Sequence, residues 1–134
     1  MELKATDNPV RVLFQNPAEF RAIDFTPFFH RELAHRIEAS ADIFLMPSMY
    51  EPCGLNQMYS LKYGTVPIVR RTGGLADSVS HFDPATGEGT GIVFNDFDSG
   101  GVRWAIAQAL QWYQSPALWR RLVSNGMRAD FSWE

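Results

Sequence analysis

Ile43-Phe44-Leu45-Met46-Pro47-Ser48 is the stretch on which the fold turns: four consecutive apolar residues closed by a proline and a serine. A strand with one wet face alternates apolar and polar residues. An unbroken run this short suits a strand covered on both faces, as in a parallel sheet with helices on either side. Working outward, Val66 to Val69 and Gly91 to Phe94 repeat the pattern. Phe20, Ala22, Ile23 and Phe25 suit a further buried strand ended by Thr26-Pro27, and Val10 to Phe14 is a weaker strand candidate.

Helical spacing fills the gaps. Leu33, Ala34, Ile37 and Ala41 recur on one side of residues 31–40, with Arg31, Glu32, Arg36 and Glu38 on the other. Leu55, Met58, Tyr59 and Leu61 run through 54–63, where Gly64 supplies a stop signal, and Leu75, Ala76 and Val79 mark a short helix after Gly73-Gly74. The spacing predicts a helix over about 100–114 with Val102, Ile106, Ala109, Leu110 and Tyr113 inward. Another starts at Ser115-Pro116, an N-cap residue followed by proline at the first helical position, with Leu118, Trp119, Leu122 and Val123 as its apolar face. Short apolar strands alternating with amphipathic helices define an α/β chain: a Rossmann-like parallel sheet flanked by helices.

Composition narrows the function classes. The 134 residues are 46% hydrophobic and 20% charged, ordinary for a globular domain and too few for two. Net charge is −3, so there is no general attraction to nucleic acid or to an anionic membrane. No uninterrupted apolar run exceeds four residues, far short of a bilayer span, and no charged-then-apolar leader precedes the pattern. The single cysteine, Cys53, leaves no intramolecular disulfide and no multi-cysteine zinc site. His30, His35 and His81 lack metal-ligand spacing, and the expectation is a soluble, cytoplasmic unit with no metal.

In doubly wound sheets, ligands sit at the carboxyl ends of strands, where a loop delivers the chain to a helix N-terminus. Three junctions qualify. At 47–57, Pro52 fixes the entry to a helix, Gly54 permits close approach of a ligand, and Glu51 stands where a carboxylate can bond sugar hydroxyls. The plainer alternative makes Glu51 a helix-dipole residue and Cys53 a small packed side chain. At 70–75, Arg70-Arg71-Thr72-Gly73-Gly74-Leu75 has the same strand–glycine–helix logic, with glycines freeing backbone amides; a tight connection is the alternative. At 25–31, Phe28-Phe29-His30 puts aromatic rings where a base could stack, with core packing favoured for Phe28. Asp96-Phe97-Asp98 has the form of a metal-binding D-x-D but sits before Ser99 at a helix start, where a solvated turn is the better reading. Trp104, Trp112, Trp119 and Trp133 do not line one helical face, which favours core and rim over a sugar platform.

Ala41 to Ser48 followed by Glu51-Pro52-Cys53-Gly54-Leu55-Asn56-Gln57, then Tyr63 to Val79 with its Arg71-Thr72-Gly73-Gly74-Leu75 block, resembles the C-terminal domain of bacterial glycogen synthases and plant starch synthases. Phe131-Ser132-Trp133 is similar to that family's terminal motif. The resemblance covers residues 20–134, which it makes a nucleotide-sugar-binding portion of a GT-B C-terminal domain, and leaves 1–19 unmatched. It implies a retaining glucosyltransferase that moves glucose from ADP-glucose to the non-reducing end of an α-1,4-glucan, with no cofactor beyond the donor. By the same resemblance Glu51 is the catalytic carboxylate, the first acid of an E-x7-E element whose second position is here Tyr59. Cys53, Gly54, Leu55 and Asn56 cradle the donor diphosphate, Thr72, Gly73 and Gly74 line the cleft, and Phe29 stacks on adenine where the family has Tyr. The family's K-x-G-G-L element and a diphosphate-binding Arg and Lys belong to segments that these residues do not match, so a missing N-terminal GT-B domain is an expected partner and the chain alone is expected to be inactive. A plant source would make the location plastidial. Alternatives are a UDP-glucose-using GT-B transferase akin to sucrose synthase and a non-catalytic nucleotide- or glucan-binding fragment.

Overall fold

The computed structural model describes residues 31–132. Their elements follow the order α1 (Arg31–Ser40), β1 (Ile43–Met46), α2 (Asn56–Tyr63), β2 (Val66–Arg70), α3 (Gly73–Ser78), β3 (Ile92–Phe94), α4 (Ser99–Tyr113) and α5 (Pro116–Arg128). The three strands form one parallel sheet in the order β1-β2-β3, with Ile43 opposite Val66 and Ile68 opposite Ile92. The expected strands at 10–14 and 20–25 lie outside the described residues.

The apolar runs form strands because both faces of the sheet are covered. Val66, Ile68, Ile92 and Phe94 join Phe82, Ala105, Ala109, Trp112 and Leu122 in one core. The alternate positions Val69 and Val93 join Leu61, Leu75 and Val79 in a second core on the opposite face. Successive strand side chains point to opposite faces, so an all-apolar run fills two cores at once. α5 spans both: Leu122 belongs to the first, while Gly126 sits against Leu61 of α2. β3 is buried throughout and β2 from Val66 to Val69, whereas β1 is only half-buried and forms one edge of the described sheet.

Two helices depart in part from the faces expected, although Ala109 is buried and Val102 packs on the core as expected. In α4 the buried positions are Ala105, Ala109 and Trp112, while Ile106, Leu110 and Tyr113 are exposed. This helix is apolar nearly all round, so its period leaves the phase open, and the small alanines allow the closest approach to β3. In α1, Leu33 and Ile37 are exposed and Glu38 is buried. Polar bonds decide its orientation. The Thr65 hydroxyl donates to the carbonyls of Glu38 (2.5 Å) and Ala41 (2.9 Å), and His35 meets the rings of Tyr59 and Tyr63 edge-on. Burial pushes the Glu38 carboxyl up, opposed by the His35 charge. Gly64 ends α2 as expected, in the left-handed conformation at φ 84°. Ser115 occupies the N-cap of α5 but its side chain makes no cap hydrogen bond; Pro116 at the first turn sets the helix start instead.

His81 bridges the sheet edge to α4. Its Nδ1 accepts a hydrogen bond from the Val93 amide at 3.0 Å, and its ring lies nearly parallel to Trp104, 5.8 Å between centroids. Only the neutral ring can accept at Nδ1. Burial first, then the Arg71 charge, hold His81 below the ordinary value of 6.5, against an opposing pull from Asp83. The unfolded chain therefore takes up the proton first as pH falls. Stability from this contact is whole above the unfolded value, about pH 6.5, and is lost as pH falls through the lower folded value. In denaturant titrations between pH 5 and 8, His81→Gln is expected to flatten that acid-side loss relative to the parent; an unchanged slope refutes the role given to this imidazole.

Candidate functional site

The site assembles at the carboxyl ends of β1 and β2. The 47–55 loop leaves β1 and folds onto the turn at Thr72-Gly73-Gly74. The Gly74 amide donates to the Glu51 carbonyl at 3.0 Å. A Cβ on Gly73, which sits at φ 44°, would land on that same carbonyl oxygen, and one on Gly74 would land on the carbonyl of Cys53. Glycine is needed here because two backbones touch. The expected release of this turn's amides to a ligand is thus corrected in part: the Gly74 amide is already engaged, and the Leu75 and Ala76 amides turn back to Thr72.

Two residues absent from the expected set hold the loop from beneath. Gln57 is fully buried, and its Nε2 lies within bonding distance of the carbonyls of Cys53 (3.1 Å) and Gly54 (3.0 Å) and the Ser78 hydroxyl (3.0 Å). Its Oε1 is buried without a partner beside Gly54, which takes φ 66°. Arg70, at the end of β2, donates through Nη1 to the carbonyls of Met49 (2.7 Å) and Ser48 (3.4 Å), and its guanidinium lies over the Phe97 ring at 5.2 Å. Gln57 sits among polar residues at the start of α2 and Arg70 at a strand end, positions that read as solvent-facing. Their backbone-binding roles become visible only when the loop is closed over them.

The arrangement brings Glu51, Cys53, Gly54, Thr72, Gly73 and Gly74 together, as expected. Glu51 is half-buried, and among the described residues its carboxylate makes no hydrogen bond or ion pair. Leu55 is the N-cap of α2 and offers no side-chain cap, so the first-turn amides beginning at Asn56 are left open to an acceptor. The Leu55 side chain itself enters an apolar groove of about 430 Å3, shared with Cys53, Tyr59 and Phe131. The terminal Phe131-Ser132 segment thereby lies beside the loop it follows by some eighty positions in sequence. Phe28, Phe29, His30 and Trp133 lie outside the described residues. Asp98 caps α4 by accepting from the Gly101 amide at 2.7 Å, a turn role rather than a metal one. Among the described residues no group of three or more His, Cys, Asp or Glu side chains could hold a metal ion. No helix of the described residues is long and apolar enough to cross a membrane.

A strand-end loop carrying a free carboxylate, pinned to a glycine turn beside an open helix N-terminus, is an arrangement suited to a phosphorylated sugar donor. The chain belongs to the glycosyl transferases group 1 family, whose profile matches residues 19–126. Within that family it is similar to the glycogen synthase of Thioalkalivibrio sulfidiphilus, 56% identical over 108 residues, and to that of Geobacillus thermodenitrificans, 50% identical over 105; each match covers 78% of this chain and 22% of the relative. The chain therefore spans about a fifth of the length of these relatives. Among solved structures it superposes on the catalytic domain of starch synthase IV from Arabidopsis thaliana bound to ADP and acarbose, with a TM-score of 0.74 and 41% identity over 79% of this chain and 22% of that one. A sucrose-phosphate synthase from Thermosynechococcus elongatus gives 0.63 and 28%, over 78% and 24%. The parallel sheet flanked by helices is that of these GT-B neighbours.

The glycine turn makes a direct test of this construction. Gly74→Ala is expected to displace residues 51–55 and to destabilise the chain by about 1–3 kcal/mol, the scale of overpacking where a backbone must move. Amide chemical shifts of 51–55 recorded without any ligand report the displacement. Unmoved amides at full stability would mean the turn and loop are independent.

Proposed function

We propose that the chain is the donor-side portion of an ADP-glucose-dependent glycogen or starch synthase, a retaining hexosyltransferase that extends α-1,4-glucan chains. One observation carries the reading: Glu51, whose carboxylate has no partner among the described residues, is held at its backbone by Gly74 next to first-turn amides of α2 that no side chain caps. ADP is the nucleotide in the starch synthase IV structure, which is nearer to this chain in identity and superposition than the sucrose-phosphate synthase, and this favours a glucan synthase over a sucrose-forming transferase.

The residues divide the work. The first-turn amides of α2, from Asn56, and the backbone at Gly54 and Leu55 bind the diphosphate. Helix-end dipoles neutralise charge as the diphosphate leaves, with no reorganisation needed during the reaction. Glu51 faces the sugar and stabilises positive charge that develops at the anomeric carbon. Thr72, Gly73 and Gly74 hold the loop and wall the cleft, and Phe29 stacks on adenine. The α-1,4-glucan is the acceptor substrate, a missing N-terminal GT-B domain would supply the closing surface of the cleft, and location in the cytoplasm follows the same reading.

Glu51→Gln, introduced into the enzyme completed by that domain, is expected to lower kcat by at least ~100-fold, or about 2.7 kcal/mol, with little change in donor affinity. Near-normal kcat would reduce Glu51 to a helix-end residue. This chain alone should transfer no glucose, because one side of a cleft neither positions the acceptor nor excludes water. It should still bind ADP, with millimolar affinity at best, since each charge-assisted bond to the diphosphate that the partner segments would add is worth about 1.5–3 kcal/mol. In a chemical-shift titration with ADP, perturbations are expected at Gly54–Asn56 and Thr72–Gly74. Perturbations elsewhere, or none, would sink the donor-site assignment.

A further inference from the structure

A second concavity opens at the carboxyl end of β3, on the same edge of the sheet as the Glu51 loop. It holds about 390 Å3 and is lined by Asn95, Asp96, Gly100, Gly101 and Trp104. The edge is continuous: Arg70 pairs with Phe94 in register, and the Arg71 amide donates to the Phe94 carbonyl at 2.8 Å. Trp104 is 48% exposed, an unusual state for so large an apolar ring. It is also held in place, since the His81 ring lies against it at 24° between planes.

The polar groups beside it select a neutral ligand. Arg71 Nε donates to Asn95 Oδ1 at 2.9 Å, which fixes the amide's orientation and leaves the NH2 of this exposed side chain as a donor. Asp96 contributes an exposed carboxylate, an acceptor only. A donor beside an acceptor matches adjacent hydroxyls on a sugar ring. Against the Arg71 guanidinium stand two carboxylates, Asp96 and the α4 cap Asp98, so the mouth carries no excess positive charge to draw a phosphate. A flat aromatic face with a few convergent polar groups is the make-up of a small-molecule site.

We propose that this pocket is an accessory subsite for a pyranose unit of a glucan chain, with Trp104 as the stacking platform and Asn95 and Asp96 as the hydroxyl contacts. That the glucan is α-1,4-linked rests on the function proposed above. Such a subsite keeps a polymer near the donor half-cleft by weak, repeated contact, so its affinity per site is in the millimolar range.

The test follows the Trp104 indole N–H signal of the 134-residue chain, assigned by its loss in Trp104→Phe, through titrations with maltohexaose and with cellohexaose. The expected result is a saturable shift with maltohexaose only, shared by the Gly100 and Gly101 amides that line the same pocket; read from those amides, the affinity is weakened at least about tenfold in Trp104→Ala. Asp96→Ala, a change at an exposed side chain, should weaken it as well, and the Trp119 indole signal, whose ring packs on Tyr113 and not on His81, certifies the fold of each variant. No shift with maltohexaose, an equal response to cellohexaose, or a response indifferent to both substitutions overturns the proposal. So does a Trp104 shift with ADP, which would make the pocket part of a nucleotide site. The amides of Gly54–Asn56, read with ADP in a parallel sample, report on the donor site separately, so that either assignment can fail without the other.

Discussion

The hydrogen bond from the Gly74 amide to the Glu51 carbonyl is the contact on which this site depends. It exists because two loops, from strands adjacent in the sheet, have no side chain between them at Gly73 and Gly74. A Cβ at either position would separate the loops by more than a hydrogen bond can span. The register of β1 on β2, with Met46 opposite Val69, brings the loops level with each other, and Gln57 and Arg70 bind four of the loop's carbonyls from below. The loop is thus held through its carbonyls, while among the described residues the Glu51 carboxylate makes no hydrogen bond or ion pair. In the role proposed for Glu51 such support would matter, since a group already held in place loses little entropy when a substrate arrives.

How much of this was legible in the residues depends on what each pattern encodes. Ile92 to Phe94 reads directly as a strand because burial on both faces leaves no polar position to confuse the period; Ile43 to Met46 reads the same way, yet as the edge strand of the described sheet it is only half-buried, with Leu45 exposed. The helices α2, α4 and α5 were legible as elements, but the orientation of α1 and α4 was not. In α4 apolar residues occupy every side, and the choice fell to the volume of Ala105 and Ala109. In α1 a tertiary bond from Thr65 outweighed a stripe of Leu33 and Ile37, something no window of local sequence contains. Tertiary hydrogen bonds to a carbonyl inside a protein are worth about as much as burying one more methyl or two, so such reversals are expected where the apolar stripe is narrow.

The site was legible for a different reason. Glu51, Cys53, Gly54 and the Thr72–Gly74 turn announce themselves because backbone constraints demand particular residues: glycine where φ is positive or a neighbour too close, proline where a helix begins. What those glycines do was less visible. Paired glycines before a helix read as amides offered to a ligand, whereas at Gly74 the amide serves the protein itself. Gln57 and Arg70 were missed outright because their partners are carbonyls, and a carbonyl belongs to every residue and marks none.

The same distinction separates the two ends of the sheet edge. Under β1 and β2 the polar side chains face inward to carbonyls and prepare a backbone surface, with open amides, for an anionic group. Past β3 the helix end is closed by Asp98, and the polar groups of Asn95 and Asp96 face outward beside an exposed indole. One edge therefore presents two chemistries: a dipolar one for a diphosphate and an amphipathic one for uncharged rings. A glucosyltransferase handles a ligand that is charged at one end and a neutral polymer at the other. Under the two proposals above, one strand edge would carry donor and polymer alike, and the in-register pairing of β2 with β3 would keep the two stations at a fixed spacing.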